Sequence, residues 1–421
     1  MKKIVVWSIG IFLSLGFGHQ LGAENIRISG SYKNFSIFFS MPDFLIGGQS
    51  LDSDSLGAVN NRFRLRTLIK PWEGVEFKLD YDLSPRIQDP LLFQDTFFPL
   101  GNISAGYRLT DFRERIYPVP KKSARSFGLF HNLDRFMVML RFDWADLYIG
   151  RQAIAWGSAR LINPTDIIAP FSFNQLDTEE RRGVDAVRLR IPLGMMDELD
   201  LGIVAGKDFK SENSAAFLRY KFYIWRTDVS LLSLAFRHHL LLGFDFARAL
   251  GGAGLWCEAA VVFPYLFEKG PLIGEDRYFR FSLGMDTNLT SKLYGYVEYH
   301  FSSAGSKQPR EYLNLFSTSA FQDGSVYLMG RHYVGVGGTY QITPLLPGSL
   351  MILLNASDQS LTLAPYLEYN IASDIYLSAG CYLGFGKGPE SILEGELVDQ
   401  IMKSEFGTYP DMVFTSFRIY F

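Results

Sequence analysis

Cysteine is nearly missing from this chain, long apolar runs are missing beyond its first two dozen residues, and neither sign of charge is in marked excess. The two cysteines, Cys257 and Cys381, each share the apolar parity of a strand-like segment. Those segments lie about six strands apart, and neighbouring strands are ~4.8 Å apart, so no disulfide is expected. Past residue 23 no stretch approaches the ~18 uninterrupted apolar residues of a helical membrane span. The formal charge of −3 moves only to −5 if the first 23 residues and their two lysines are removed, which excludes nucleic acid as an expected partner. No HExxH, GxSxG or CxxC pattern occurs, and the histidines beyond residue 23, His131, His238, His239, His300 and His332, are scattered apart from one adjacent pair. No enzyme, metal site or cofactor is therefore expected.

What the chain does have is aromatic. With 36 Phe and 22 Tyr, aromatics reach 15% of the residues. The first residues, "MKKIVVWSIGIFLSLGFGHQLGA", place two lysines before an apolar core and small residues after it, the layout of a secretory signal peptide cleaved after Ala23. The expected organisation is a signal peptide over 1–23 and a single domain over 24–421.

Alternation carries the rest. In "NRFRLRTLIK", Phe63, Leu65, Thr67 and Ile69 alternate with Arg62, Arg64, Arg66 and Lys70. After "PWEG", Val75, Phe77, Leu79 and Tyr81 alternate with Glu76, Lys78, Asp80 and Asp82. Period two is the spacing of a strand with one apolar and one wetter face. Such segments recur near 26–39, 59–70, 73–83, 134–142, 146–156, 183–192, 198–206, 214–225, 228–237, 240–249, 253–263, 277–288, 292–303, 325–342, 349–356, 361–370, 374–385 and 409–421. The gaps between them alternate long and short, as in transmembrane barrels with long outer loops and short periplasmic turns. Trp72, Trp144 and Trp225 fall at the short turns and Trp256 just after another, the level of an aromatic girdle, while Trp156 falls at the opposite end. The fold class expected is all-β: a transmembrane antiparallel β-barrel of 18 strands, with 16 as the alternative count.

The last residues, "DMVFTSFRIYF", resemble the C-terminal strand of bacterial outer-membrane barrel proteins, through Phe417, Ile419 and the terminal Phe421. The resemblance implies an outer membrane of a Gram-negative-type bacterium, contact with its lipid and lipopolysaccharide, and assembly-machinery recognition of the strand ending at Phe421. A shorter stretch, Gly150-Arg151-Gln152 with Gly157, Arg160 and the later Arg182, Gly183, Asp185 and Arg188, resembles the alginate-export type of 18-stranded porin. The "INPTD" segment, Ile162–Asp166, departs from that pattern.

The polar parity should line the lumen. A short turn at 71–73 predicts Arg64 opposite Asp80, Arg62 opposite Asp82 and Arg66 opposite Lys78. Further inward candidates are Arg141, Arg188, Arg190, Arg219, Arg280 and Glu298. Arg151 shares parity with Leu147 and Ile149, so a bulge at Gly150 is expected to turn it inward. Bases outnumber acids in this set, which predicts a cationic lumen and small hydrophilic, anionic solutes. The function expected is a porin-like channel; the alternative is a receptor, adhesin or envelope scaffold without an open pore. Loops 84–133 and 157–182 are the candidate gates, since a barrel of this size leaves an aqueous channel unless something fills it.

Overall fold

The computed structural model describes residues 25–42, 45–46, 49–50, 55–93, 106–112, 114–118, 126–267, 276–394 and 397–421. The proposed signal peptide lies outside the described residues, as do 94–105 and 119–125 of the first long loop.

Alternating sequence becomes strand at each of the expected places. The strands are β1 (Ile26–Ser40), β2 (Ser55–Trp72), β3 (Val75–Gln88), β4 (Phe127–Arg141), β5 (Asp146–Gln152) and β6 (Val184–Pro192). They continue as β7 (Glu198–Ala205), β8 (Ala215–Ile224), β9 (Thr227–Phe236), β10 (His239–Leu250), β11 (Ala253–Phe263) and β12 (Tyr278–Asn288). The last six are β13 (Leu293–Ser302), β14 (His332–Thr343), β15 (Leu346–Asn355), β16 (Ser360–Ala372), β17 (Ile375–Phe385) and β18 (Asp411–Tyr420). Each pairs antiparallel with its sequence neighbours, and β18 pairs with β1, which closes an 18-stranded barrel. A three-residue strand, Arg115–Tyr117, adds to β4.

Closure reaches the last residue. Gly30 N–H donates to Phe421 C=O at 2.6 Å and Phe421 N–H donates to Gly30 C=O at 3.0 Å. A Cβ on residue 30 would stand 2.6 Å from the Phe421 ring, so glycine is what admits the terminal phenylalanine. Along β18, Val413 and Thr415 are exposed while Met412, Phe414 and Ser416 are buried, the alternation read in the sequence. Outward apolar side chains such as Ile28, Phe63, Leu65, Leu218 and Leu377 are exposed all round the wall, which presents an apolar belt to lipid. Among the described residues each strand of the wall is paired on both sides, so the wall presents no open sheet edge to lipid.

Three expectations are corrected. Strand β4 begins seven residues earlier than its pattern indicated, and β14 begins seven later, because Val326, Leu328 and Met329 turn into the interior. The β2–β3 register is offset by two: Arg64 faces Asp82, Arg66 faces Asp80 and Leu68 faces Lys78, because the ladder is irregular between Ile69 and Trp72. Trp256 is buried in the lumen, where its Nε1–H donates to Glu298 at 2.9 Å, and does not join the girdle; Trp72, Trp144 and Trp225 are exposed at the short-turn rim. The cysteines are free, as expected.

Candidate functional site: the lumenal constriction

The inner wall is divided by charge. Strands β1, β2 and β18 carry Lys33, Arg62, Arg64, Arg66 and Arg418 on their inner parity, whereas β10 to β13 carry Asp245, Glu258, Asp286 and Glu298. Segment 153–183, between β5 and β6, folds into the barrel and bridges the two sides.

Its first half supplies donors to the acidic side. The Glu298 carboxylate accepts from the backbone N–H of Arg160 at 2.7 Å and of Ile162 at 3.0 Å. Glu258 accepts from Thr165 N–H at 2.8 Å, Thr165 Oγ1 at 2.7 Å and Asn163 Nδ2 at 3.1 Å. Ser158 donates to Asp245, and Arg160 reaches Asp286 at 2.9 Å. Successive backbone N–H groups turned toward a carboxylate form an anion-holding concavity. The "INPTD" segment is therefore an anchor as well as a turn.

Its second half supplies acids to the basic side. Asp177 pairs with Lys33 at 3.0 Å and Arg62 at 2.6 Å, and Glu179 with Lys33 at 2.6 Å and Arg418 at 2.7 Å. Glu180 meets Arg64 at 2.5 Å and also Arg66. Between the halves, Ile167, Ile168 and Ala169 pack on Val204, Phe217, Leu234 and Leu241 of the inner wall. Burial of several aliphatic side chains contributes ~1.5–3 kcal/mol each, so the loop is held by packing as well as charge.

Arg64 is the most connected cation. Besides Glu180 it meets Asp82 at 3.2 Å, Asp80 at 3.0 Å and Asp134 at 2.6 Å. Asp134 arrives through a bulge in β4: Asp80 faces Arg135 and Tyr81 faces Leu133, leaving Asp134 as the extra residue. The adjacent charges Asp134 and Arg135, between Leu133 and Phe136, were the sequence signal for that bulge.

The remaining candidates are scattered. Arg188 is bidentate on Asp200 at 2.8 and 2.6 Å, Arg190 pairs with Glu198 at 2.5 Å, and Arg219 donates to Ser230 at 2.9 Å. Arg280 is buried and donates from Nη1 to the Gly324 carbonyl at 3.4 Å. Lys78 stands 3.9 Å from Asp80, and Arg141 lies exposed at the short-turn rim beside Asp146. Arg151 corrects the bulge expected on β5. Gly150 does take a positive φ of 115°, but the register is unbroken, and Arg151 stays opposite Phe136 and Asp185. Its charge is met at the end of this short strand by Asp185 at 2.7 Å and Asp111 at 3.1 Å. Asp111 belongs to the described part of loop 84–133, which also buries Tyr107 and Arg108.

Two further segments, 303–331 and 402–410, fold inward and were not singled out from sequence. Glu405 joins them to the wall, accepting from Met329 N–H at 3.0 Å, Asn355 Nδ2 at 2.7 Å and Tyr333 Oη. Burial pushes the Glu405 carboxyl up to about 7, against the hydrogen bonds from Tyr333 and Met329. Glu179 shifts the other way: burial opposes its ionisation, but hydrogen bonds from Lys33 and Tyr420 outweigh it and hold the carboxyl at about 2.

The signs give a prediction. Glu405 favours its packed site when protonated, so its contribution is full below the ordinary value of 4.5 and is lost as pH rises through about 7. Glu179 contributes above its ordinary 4.5 and loses that only as pH falls toward 2. Hydrogen exchange in detergent, corrected for intrinsic rates, should show amides around 405–408 losing protection several-fold between pH 5 and pH 8. Those at 177–181 should hold steady. Equal behaviour of the two segments would contradict the assignment.

No family model matches the chain, and no curated protein matches its sequence. Solved structures do match in fold. OccK1 (OpdK) of Pseudomonas aeruginosa superposes with a TM-score of 0.55 at 9% identity, covering 94% of this chain and 99% of that one. OccD3 (OpdP) of the same organism gives 0.54 at 10% identity, over 94% and 91%. OccAB4 of Acinetobacter baumannii gives 0.51 at 10%, over 96% and 99%. The resemblance to the alginate-export type is not supported by these structures. Taken with the closed wall and its apolar belt, they show that this chain has the fold of porin-like outer-membrane barrels.

Proposed function

We propose that the protein is a passive, substrate-selective channel for small hydrophilic solutes, with segment 153–183 setting the bore. The observation that carries this reading is that the inward segment leaves room. Between residues 173–179 and the wall of β13 to β18 lies a cavity of about 410 Å³. That is within the ~300–1,000 Å³ usual for small-molecule sites. A barrel serving only as a receptor or scaffold has no need of a lumenal cavity, so that alternative is less well supported.

The solute preference is a finer matter. A neighbour of the same fold, OpdK, has been solved with vanillate, and the inner arginines of this chain favour anions in the same sense. Against this, Asp177, Glu179 and Glu180 already occupy Lys33, Arg62, Arg64, Arg66 and Arg418. The expected anion preference is therefore weak, because a lumenal charge closed in an ion pair adds little field to the pore.

Planar-bilayer recording of the purified protein in a salt gradient tests both parts. Small, stable open steps with a reversal potential only slightly on the anion side are expected. A folded barrel that never conducts would remove the channel reading, and a strong anion bias would remove the claim that the loop acids neutralise the wall.

A further inference from the structure

We infer that the cavity beside β16 to β18 is a binding station for neutral, ring-shaped polyhydroxylated solutes of the sugar class, a deepening that rests on the channel reading. Three aromatic rings form its floor. Tyr366 on β16 and Phe414 on β18 have centroids 6.3 Å apart with planes 27° from parallel, and Phe414 and Tyr382 on β17 stand 6.2 Å apart at 27°. Gly380 makes the strip continuous: a Cβ there would come within 2.8 Å of the Phe414 ring and push it off β17. The result is a run of ring faces across three neighbouring strands, opposite Phe173 of the inward segment.

Hydroxyls flank the rings. Ser378 and Ser416 share a hydrogen bond of 2.7 Å, and Thr339 and Ser349 share one of 2.9 Å. The Thr339–Ser349 pair, half-buried, uses one hydroxyl hydrogen internally and leaves the other hydrogen and lone pairs for a solute, whereas Ser378 is also bonded to Tyr366 and helps to fix that ring. Ring faces that take apolar C–H surface, beside small groups that both donate and accept, match a pyranose, which is apolar on its faces and hydroxylated at its edge.

The charges at the cavity argue for neutrality. Arg418, its lining cation, is held by Glu179 at 2.7 Å and by Glu368, and it also donates to Tyr366 Oη at 3.2 Å. Asp177 and Glu179, its lining acids, are held by Lys33 and Arg62. A carboxylate solute must displace Glu179 or Glu368 to reach Arg418, and an ammonium must displace Lys33. Breaking a buried pair leaves its other member uncompensated, which is strongly unfavourable. A neutral polyol meets no such barrier.

The probes are maltose, glucose, glucuronate and glucosamine, added during bilayer recording and, separately, titrated calorimetrically against the barrel in a detergent without sugar headgroups. Maltose and glucose should interrupt the ion current and release heat, with glucuronate and glucosamine at least tenfold weaker. Phe414→Ala should cut maltose affinity about tenfold, and Thr339→Val with Ser349→Ala several-fold, with heat-modifiable gel mobility retained. Tyr382→Leu serves in place of Phe414→Ala if the latter does not fold. An open channel through which maltose neither interrupts current nor binds overturns the sugar site while leaving the channel standing. A silent barrel that still binds maltose with Phe414 dependence supports the site and overturns the channel. Glucuronate binding as tightly as glucose overturns the neutral class.

Discussion

Replacing Arg64 with glutamine should destabilise the barrel by about 3–5 kcal/mol, the penalty for removing one partner from a buried ion pair. The guanidinium is almost fully enclosed, and Asp80, Asp82, Asp134 and Glu180 all lie within 3.2 Å of it. Without it, three strand carboxylates are left together in the wall with Arg135 at 2.7 Å from Asp134 and with Arg108 and Lys78 only at 3.8 and 3.9 Å. Some of the loss appears as protonation, some as loosening of the β4 bulge. Lysine should recover only part of it, because a point charge cannot fork to several carboxylates as a planar guanidinium does. The measurement is the temperature at which the folded form loses its distinct gel mobility, for Arg64→Gln, Arg64→Lys and Arg64→Gln with Asp82→Asn. Partial rescue by the double change is expected, since it removes one uncompensated charge. Wild-type behaviour of Arg64→Gln would mean that water enters the cluster freely and the carboxylates need no partner.

Changing Asp177, Glu179 and Glu180 together to Asn, Gln and Gln should alter the pore more than any change to the wall. These three side chains cover Lys33, Arg62, Arg64, Arg66 and Arg418. With the acids gone, the basic side faces water and the second half of the segment has lost its anchorage. The anion-to-cation permeability ratio should rise about tenfold, in line with the effect of a bare charged cleft on local ion concentration. The gain should shrink as salt is raised, because the Debye length falls from ~10 Å at 0.1 M to ~3 Å at 1 M. The first half of the segment, held by Glu258 and Glu298, should stay docked, so conductance should rise several-fold without reaching that of an unobstructed barrel. An unchanged reversal potential would show that the wall arginines do not face the ion path.

The wall was legible in the sequence and its contents were not. Strands announce themselves locally: Val413, Thr415, Phe417 and Ile419 need only their own parity to be read. Where one inner face is itself apolar, that signal fades. In β9, Leu231 is exposed while Leu232 and Leu234 are buried under the inward segment, so alternation between greasy and wet disappears. Register depends on how the chain turns, and the irregularity between Ile69 and Trp72 shifted Arg64 by two residues relative to Asp80. Partners of the arginines depend on contacts across more than a hundred residues, which no local pattern contains. The acids of "DTEERR" were seen as loop residues; nothing in their neighbourhood said that they would be folded back onto "RFRLR". The basic set read from the strands left out Asp245 and Glu258 of the wall and the loop acids Asp177, Glu179 and Glu180 that meet its cations.

That distance along the chain has a consequence for how the molecule comes into being. Glu180 lies 114 residues after Arg66. Asp80 and Asp82 follow Arg64 on the next strand, but the counter-ions of Lys33, Arg62 and Arg66 lie more than a hundred residues further on, and Arg418 comes last of all. Mutual repulsion among Lys33, Arg62, Arg64 and Arg66 therefore opposes early pairing of β1 with β2. Asp80 and Asp82 of β3 relieve it in part, and the acids of the segment after β5 relieve the rest once that segment enters. Electrostatics thus couples the last event of assembly to the first, so that a partly closed wall is a strained intermediate and the sealed, filled barrel is the state in which the charges are at rest.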